Sequence, residues 1–277
     1  MKSAITISLV PEARNGPFVF HGDLRRGCAR AAALGFEAVE VFPPAADALN
    51  VKALRALLKR HRLRIAAIGT GGGWLRLGWT LTNPDRAIRA KASEFIGQIV
   101  ELAAGFNAPA IIGSMQGRVE AGVPRDQAER WLADGLREAG ARAGKRGTFL
   151  LYEPLNRYET NLFNRAADAA AFLTRRRIRH VKLLCDLFHM NIEEASVPEA
   201  LRAVAKHVGH VHFADTNRRA IGFGHLDVAP VVAALREIGY RGFLSAEVFP
   251  QPGAEAAARQ TLRAFRELMQ TEPKSSC

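Results

Sequence analysis

The sequence predicts a single (β/α)8 barrel, an α/β fold of one domain. Short apolar runs that read as strands alternate with helical patterns eight times across 277 residues, with no linker or low-complexity break. Eight is the number of parallel strands that closes into a barrel. The runs are apolar on both faces, as strands of a fully buried parallel sheet are. Several of them end in a carboxylate or a histidine, at the strand edge where parallel α/β folds place their chemistry. A doubly wound open sheet is the competing architecture. It wants a GxGxxG after the first strand, and Pro11–Phe18 holds a single glycine there.

The elements follow in order. The first strand is expected at Ala4–Val10 and its helix at Asp23–Leu34. Ala38–Phe42 and Val51–His61 form the second pair. Arg64–Thr70 is the third strand, followed by a glycine-rich loop, Gly71–Gly73, and a helix over Pro84–Gly105. Pro109–Ser114 precedes a helix at Arg125–Gly144. Phe149–Glu153 precedes Ala166–Arg176, and Val181–Asp186 precedes Val197–Lys206. Val208–Ala214 precedes Val228–Ile238. Gly242–Val248 and Ala254–Met269 close the chain. Gly35, Gly105, Gly147 and Gly239 stand just past helices, where a left-handed residue caps the end. Pro84 and Pro198 stand near helix starts, where a missing N–H costs little. The barrel is assigned to residues 1–270 and a frayed tail to 271–277.

Composition narrows the setting. With 48% hydrophobic residues the chain can bury a sizeable core. Cys28, Cys185 and Cys277 show no CxxC spacing, which fits a reducing, cytoplasmic location. MKSAITISLV reads as a first strand rather than a signal peptide, and no apolar stretch reaches the ~20 residues that span a bilayer. The net charge of +12 has two readings: attraction of nucleic acid or of a phosphorylated metabolite, or arginines on solvated helix faces. The cations fall mostly at the ends of helical patterns, as the helix dipole favours, so no nucleic-acid or membrane partner is expected.

The stretch FLLYEPLNRYET, Phe149–Thr160, organises the chemistry. Four apolar residues meet Glu153, and Pro154 then ends ladder pairing. The next strands end in Asp186 (LLCD, with His189 three residues on), His212 (GHVH) and Glu247 (LSAE). One acid at a strand end is commonly a helix cap. Four ionisable groups on adjacent strands, each approached through apolar residues, must be paired or bound to a cation. Carboxylates with one imidazole suit Mn²⁺, Mg²⁺, Co²⁺ or Zn²⁺. Glu40 either hydrogen-bonds substrate or a ligand residue, or is structural. His210 shares a strand face with His212 and fills the barrel interior or stands behind the site. Gly71–Gly73 is either a phosphate cradle, a hinge or a close-approach turn, and no P-loop lysine follows it. Trp74 and Trp79 either cover a bound ring or pack under the loop. His225 falls on the loop after the seventh strand, and Cys185 is expected to face the core.

EPLNRYET, CDLFHMNIEE, GHVHFADTNRR and the final AEVF resemble the xylose-isomerase-like barrel superfamily, within it most nearly the ketose 3-epimerases of the D-tagatose/L-ribulose type. The likeness is strongest over Phe149–Phe249, while Pro11–Phe20 and Gly71–Thr82 depart from the family's usual loops. It implies one divalent metal, Mn²⁺ foremost, on Glu153, Asp186, His212 and Glu247. It implies substrate contacts at Glu159, His189 and Arg218.

The expected reaction is epimerisation or isomerisation of a ketose or keto-sugar through a metal-stabilised enediolate. Returning the proton to the opposite face needs two acid/base groups, here Glu153 and Glu247. Related lyases and isomerases (keto-inositol dehydratase, hydroxypyruvate isomerase, dehydroshikimate dehydratase) form the alternative. Abasic-site endonucleases need more metal ligands than Thr70, Ser114 and His225 supply. The partner is a small sugar, and the exposed barrel helices suit a homodimer or homotetramer.

Overall fold

A computed structural model gives the fold and describes residues 1–270; the expected tail, 271–277 with Cys277, lies outside the described residues. The strands are β1 (Lys2–Ser8), β2 (Ala38–Phe42), β3 (Arg64–Gly69), β4 (Ala110–Ile112), β5 (Leu150–Tyr152), β6 (Val181–Asp186), β7 (Val208–His212) and β8 (Phe243–Ala246). Each pairs with the next in parallel. Lys2 to Ile5 pair with Phe243 to Ala246, so the sheet closes into the expected eight-stranded barrel. A two-residue strand, Phe20–His21, adds to the end of β1.

Ten helices surround it among the described residues: α1 (Leu24–Leu34), α2 (Val51–His61), α3 (Gly72–Leu77), α4 (Arg86–Ala104), α5 (Arg125–Lys145), α6 (Ala166–Arg175), α7 (Leu187–Glu193), α8 (Val197–Ala203), α9 (Ala229–Glu237) and α10 (Ala254–Gln270). Local chemistry sets many of their ends. Asp23, Asn50, Asp85 and Ser196 accept backbone N–H bonds as N-caps of α1, α2, α4 and α8. Gly35, Gly147 and Gly239 take positive φ as expected, but Gly105 does not. Its φ is −59°, and Asn107 two residues later makes the left-handed turn.

Two expectations are corrected. Gly71–Gly73 is not a loop but the entry to α3. The single helix expected after β6 is two, because α7 starts directly at Asp186.

Strand parity decides what each side chain faces. Ile7, Val41, Tyr152, Leu183, Cys185 and Val211 pack against the helices in the main core. The alternate residues Phe42, Ile111, Leu151 and Leu184 cluster separately, inside the barrel. Ala4, Ala38 and Ala66 form the floor with Phe243. Continuing the inward parity by two residues from Leu151 and Leu184 gives Glu153 and Asp186. Along β7 it gives His210 and His212.

Candidate active site

Glu153 follows the last residue of β5, and its N–H still donates to the Ile112 carbonyl at 3.0 Å. The carboxylate therefore stays on the barrel rim although Pro154 ends the strand. Gln116 braces it from behind, donating to the Gly113 and Glu153 carbonyls at 3.0 and 2.9 Å and accepting from the Tyr152 hydroxyl. A Cβ at Gly113 would stand 2.5 Å from Glu153 Oε2, so glycine is what lets the carboxylate lie there.

Asp186 splits its two oxygens. Oδ1 caps α7 by accepting the Phe188 N–H at 2.8 Å, and Oδ2 lies 3.3 Å from His212 Nδ1. The same nitrogen is 3.6 Å from Glu153 Oε1 and 3.7 Å from Glu247 Oε2. One donor atom from each of Glu153, Asp186, His212 and Glu247 lies within 4.8 Å of the others, and all four residues are buried. The structure thus gathers the four residues that the strand ends suggested.

The expected substrate contacts border this group. His189 sits on α7, 1% exposed. Its Nδ1 accepts from the Asn156 backbone N–H at 3.3 Å, and the Asn156 amide is 2.8 Å away. A backbone N–H can only donate, so the His189 proton is on Nε2. That nitrogen points toward Glu153 and Asp186 at 3.8 Å and has no hydrogen-bond partner among the described residues. Arg218 donates to Glu247 Oε2 at 2.5 Å and reaches Glu159 Oε1 at 3.4 Å.

Arg218 has φ +57°, and Asp215 holds the turn that carries it. The Asp215 carboxylate accepts backbone N–H bonds from Thr216, Gly222, Gly224 and Leu226 at 2.7–3.0 Å. Asn156, Gln116 and Asp215 were not singled out from the sequence. Asn156 and Asp215 stood inside EPLNRYET and FADTNRR, where an Asn or Asp in a turn was the available signal.

Electrostatics set the site apart. Burial pushes Glu153 well above the ordinary carboxylate range; His212 opposes this, while Glu247 and Asp186 add to it. Burial also raises Glu247 and Glu159. Asp186 goes the other way, because His189, His212 and Arg218 outweigh its burial. Burial lowers His189 to about 4, which keeps it neutral. Three buried carboxylates around one imidazole nitrogen exceed the charge that Arg218 balances, and Glu153 Oε1 has no hydrogen-bond partner among the described residues. An oxygen-rich set with one nitrogen is what a divalent cation takes, so the residues fit one.

A cavity of about 250 Å³ opens above Glu153 and Glu247. Its lining also includes the apolar side chains of Val10, Pro17, Phe18, Trp74 and Leu75. A larger groove of about 810 Å³ between α1 and α2 gathers no comparable acids. Gly72 and Gly73 pack α3 under this mouth: a Cβ at Gly72 would meet the Pro43 carbonyl at 2.8 Å, and one at Gly73 the Met115 sulfur at 2.6 Å. Trp74 stands 45% exposed at the mouth, whereas Trp79 packs edge-on to Phe95. His225 lies away from the cavity lining, its backbone N–H held by Thr216. Glu40 bonds to both His210 and His212 inside the barrel.

Known proteins resemble this chain over nearly its whole length. A family model described as xylose isomerase-like TIM barrel matches residues 28–268. The chain is 29% identical over 248 residues to L-ribulose 3-epimerase of Methylomonas sp. (strain DH-1), covering 88% of this chain and 85% of that one. It is 30% identical over 230 residues to D-psicose 3-epimerase of Agrobacterium fabrum, covering 81% and 78%. A solved D-allulose 3-epimerase from Methylomonas sp. in complex with D-allulose shares the fold at TM-score 0.80 and 23% identity, over 96% of this chain and 98% of that one.

Proposed function

The chain belongs to the xylose isomerase-like TIM barrel family, and we propose that it is a divalent-metal-dependent epimerase of a ketose or keto-sugar. The observation that carries this reading is the pair Glu153 and Glu247. Both border the cavity, three strands apart, and both lie within 4 Å of the same His212 nitrogen. Inverting a carbon next to a carbonyl requires a proton to leave one face and another to arrive on the other. Two carboxyl groups on separated strands supply that.

Glu153, Asp186, His212 and Glu247 would hold the cation. When bound, it supplies a Lewis acid that polarises the substrate carbonyl and acidifies the neighbouring C–H. The protein's own groups do the rest. Glu153 takes or returns a proton from the β5 side. Glu247 does the same from the β8 side, held in place by Arg218. His189 presents a dry Nε2–H to a substrate oxygen, and Arg218 with Glu159 borders the same space.

The apolar part of the cavity lining bears on the substrate. Arg76, next in sequence to the lining residue Leu75, is turned to Glu12 and the Pro44 carbonyl, and the Gly73 N–H is spent on Thr70. Among the described residues Arg218 is the one cation in the lining, and Glu247 and Glu159 hold it, so no free cation is offered to a phosphate. The reading is therefore an unphosphorylated ketose whose far end rests on apolar side chains.

The test is a screen of free ketoses, ketose phosphates and keto-glycosides with Mn²⁺ in deuterated buffer. The expected result is activity on an unphosphorylated substrate, abolished by chelation and restored by Mn²⁺ or Co²⁺, with solvent deuterium at the inverted carbon. Glu247→Gln should lose this exchange and keep its fold. Full activity in metal-free protein, or retention of every substrate hydrogen, would sink the mechanism.

A further inference from the structure

Glu40 stands in the middle of β2, outside the cavity lining, and its side chain is wholly buried. Its two oxygens go to two histidines of β7. Oε2 is 2.7 Å from His210 Nε2 and Oε1 is 3.0 Å from His212 Nε2. The pair of contacts spans the barrel lumen, because β8 and β1 separate β7 from β2 in the sheet.

Hydrogen bonding fixes what each partner carries. An ionised carboxylate accepts and cannot donate. Both imidazoles must therefore offer Nε2–H, and each ring is set by the same acid. For His212 this leaves Nδ1 as the ligand atom, and that is the nitrogen facing Asp186, Glu153 and Glu247 at 3.3–3.7 Å. His210 also meets the His212 ring edge-on, with centroids 5.7 Å apart. Its N–H satisfies the second Glu40 oxygen, which would otherwise be a buried charge half unpaired.

Charge points the same way. A divalent cation plus Arg218 balances the three site carboxylates, leaving Glu40 as an additional buried anion that acts through the His212 ring. A carboxylate behind a ligating histidine makes the ligand nitrogen a stronger donor and fixes the ring's rotation.

We infer that Glu40 is a positioning residue for the metal centre, holding His212 as its Nε2–H tautomer with Nδ1 presented to the cation, and that His210 locks Glu40 in that pose. The inference rests on the metal-centre reading above, and it adds a group from the opposite side of the barrel. It assigns the buried pair Glu40 and His210 a purpose that a solely structural hydrogen bond does not predict.

The experiment measures Mn²⁺ dissociation constants of the intact protein by calorimetry for wild type, Glu40→Gln and His210→Gln. It also records imidazole ¹⁵N shifts of His212 in Zn²⁺-loaded wild type. Glu40→Gln should weaken Mn²⁺ binding by about 10- to 100-fold. Its kcat at saturating Mn²⁺ should recover to near wild type, which a general loosening of the barrel would not allow. His210→Gln, which leaves the Glu40–His212 bond in place, should weaken binding less. The ¹⁵N spectrum should show the proton on Nε2 and the metal on Nδ1. Unchanged Mn²⁺ affinity in Glu40→Gln, or a metal on Nε2, overturns the clamp alone. Wild-type protein that binds no divalent ion overturns the metal reading and the clamp together. If Glu40→Gln does not fold, the wild-type spectrum still decides the tautomer.

Discussion

Arg218 reaches the site only because its backbone adopts a left-handed conformation that costs a non-glycine residue ~1 kcal/mol or more. The four backbone N–H bonds gathered by Asp215 hold that turn. Burial alone would raise the Asp215 pKa, but these donors outweigh it and lower it below the usual aspartate value. An acid with a lowered folded-state pKa contributes stability above its unfolded pKa of ~3.9 and loses it as pH falls through the folded value. Wild type should therefore lose part of its stability in the acid range below about pH 4. Asp215→Asn should lack that part of the dependence, since it has no carboxylate to protonate. It should also be weaker at pH 7 by ~1–3 kcal/mol, as buried N–H groups lose their acceptor. Denaturant melts of both proteins across pH 3–7 check this, and parallel curves would refute it. Single-residue roles such as this one were poorly legible in the sequence. FADTNRR shows an Asp in a turn but not which amides it collects. Glu40 likewise finds its partner 170 positions away, and no local pattern carries that distance.

At the scale of elements, α3 and α7 show where pattern reading stopped. Val181–Asp186, Val51–His61 and Ala38–Phe42 match their expected bounds, because apolar runs and helical periodicity are local properties. Three glycines disfavour a helix by ~1 kcal/mol each, so Gly71–Gly73 read as a loop. Tertiary packing reverses that preference, since only glycine fits against the Pro43 and Pro44 carbonyls. The start of α7 was hidden for another reason. Asp186 reads in the sequence as a site residue, and its second duty as the helix cap lies on the oxygen the site does not use. The packing argument makes a paired prediction. Gly72→Ala should destabilise the protein by ~1–3 kcal/mol, because the new methyl meets backbone that cannot move aside. Gly71→Ala meets nothing within 4 Å and has φ −54°, so it should be neutral or stabilising by up to ~1 kcal/mol. Urea unfolding of the two variants distinguishes the cases, and equal losses in both would refute the packing account.

Across the whole molecule, charge is arranged from one end of the barrel to the other. Cations fall in last helical turns, such as Lys59 and Arg60 in α2 and Arg142 and Lys145 in α5, where the helix dipole favours them. Each helix leads back to the start of the next strand, so these cations lie at the opposite rim from the site acids. Among the described residues no helix is long and apolar enough to cross a membrane. At the other rim the apo protein bears an unfavourable cluster. Glu153 and Glu247 are both raised by burial, so their ionisation opposes folding at neutral pH. Cation binding should reverse this. At 100 times its dissociation constant, one bound ion stabilises the fold by ~2.7 kcal/mol, which for a domain of this size is roughly 5 °C in Tm. Glu153→Gln should separate function from stability. It removes an acid whose charge the folded state disfavours, so its metal-free Tm should equal or exceed that of wild type. It also removes a proposed ligand, so most of the Mn²⁺-dependent rise should vanish together with substrate exchange. Melting both proteins with chelator and with Mn²⁺ is the measurement. A variant that melts lower than wild type without metal, yet gains the full increment with it, would show that Glu153 supports the barrel rather than the ion.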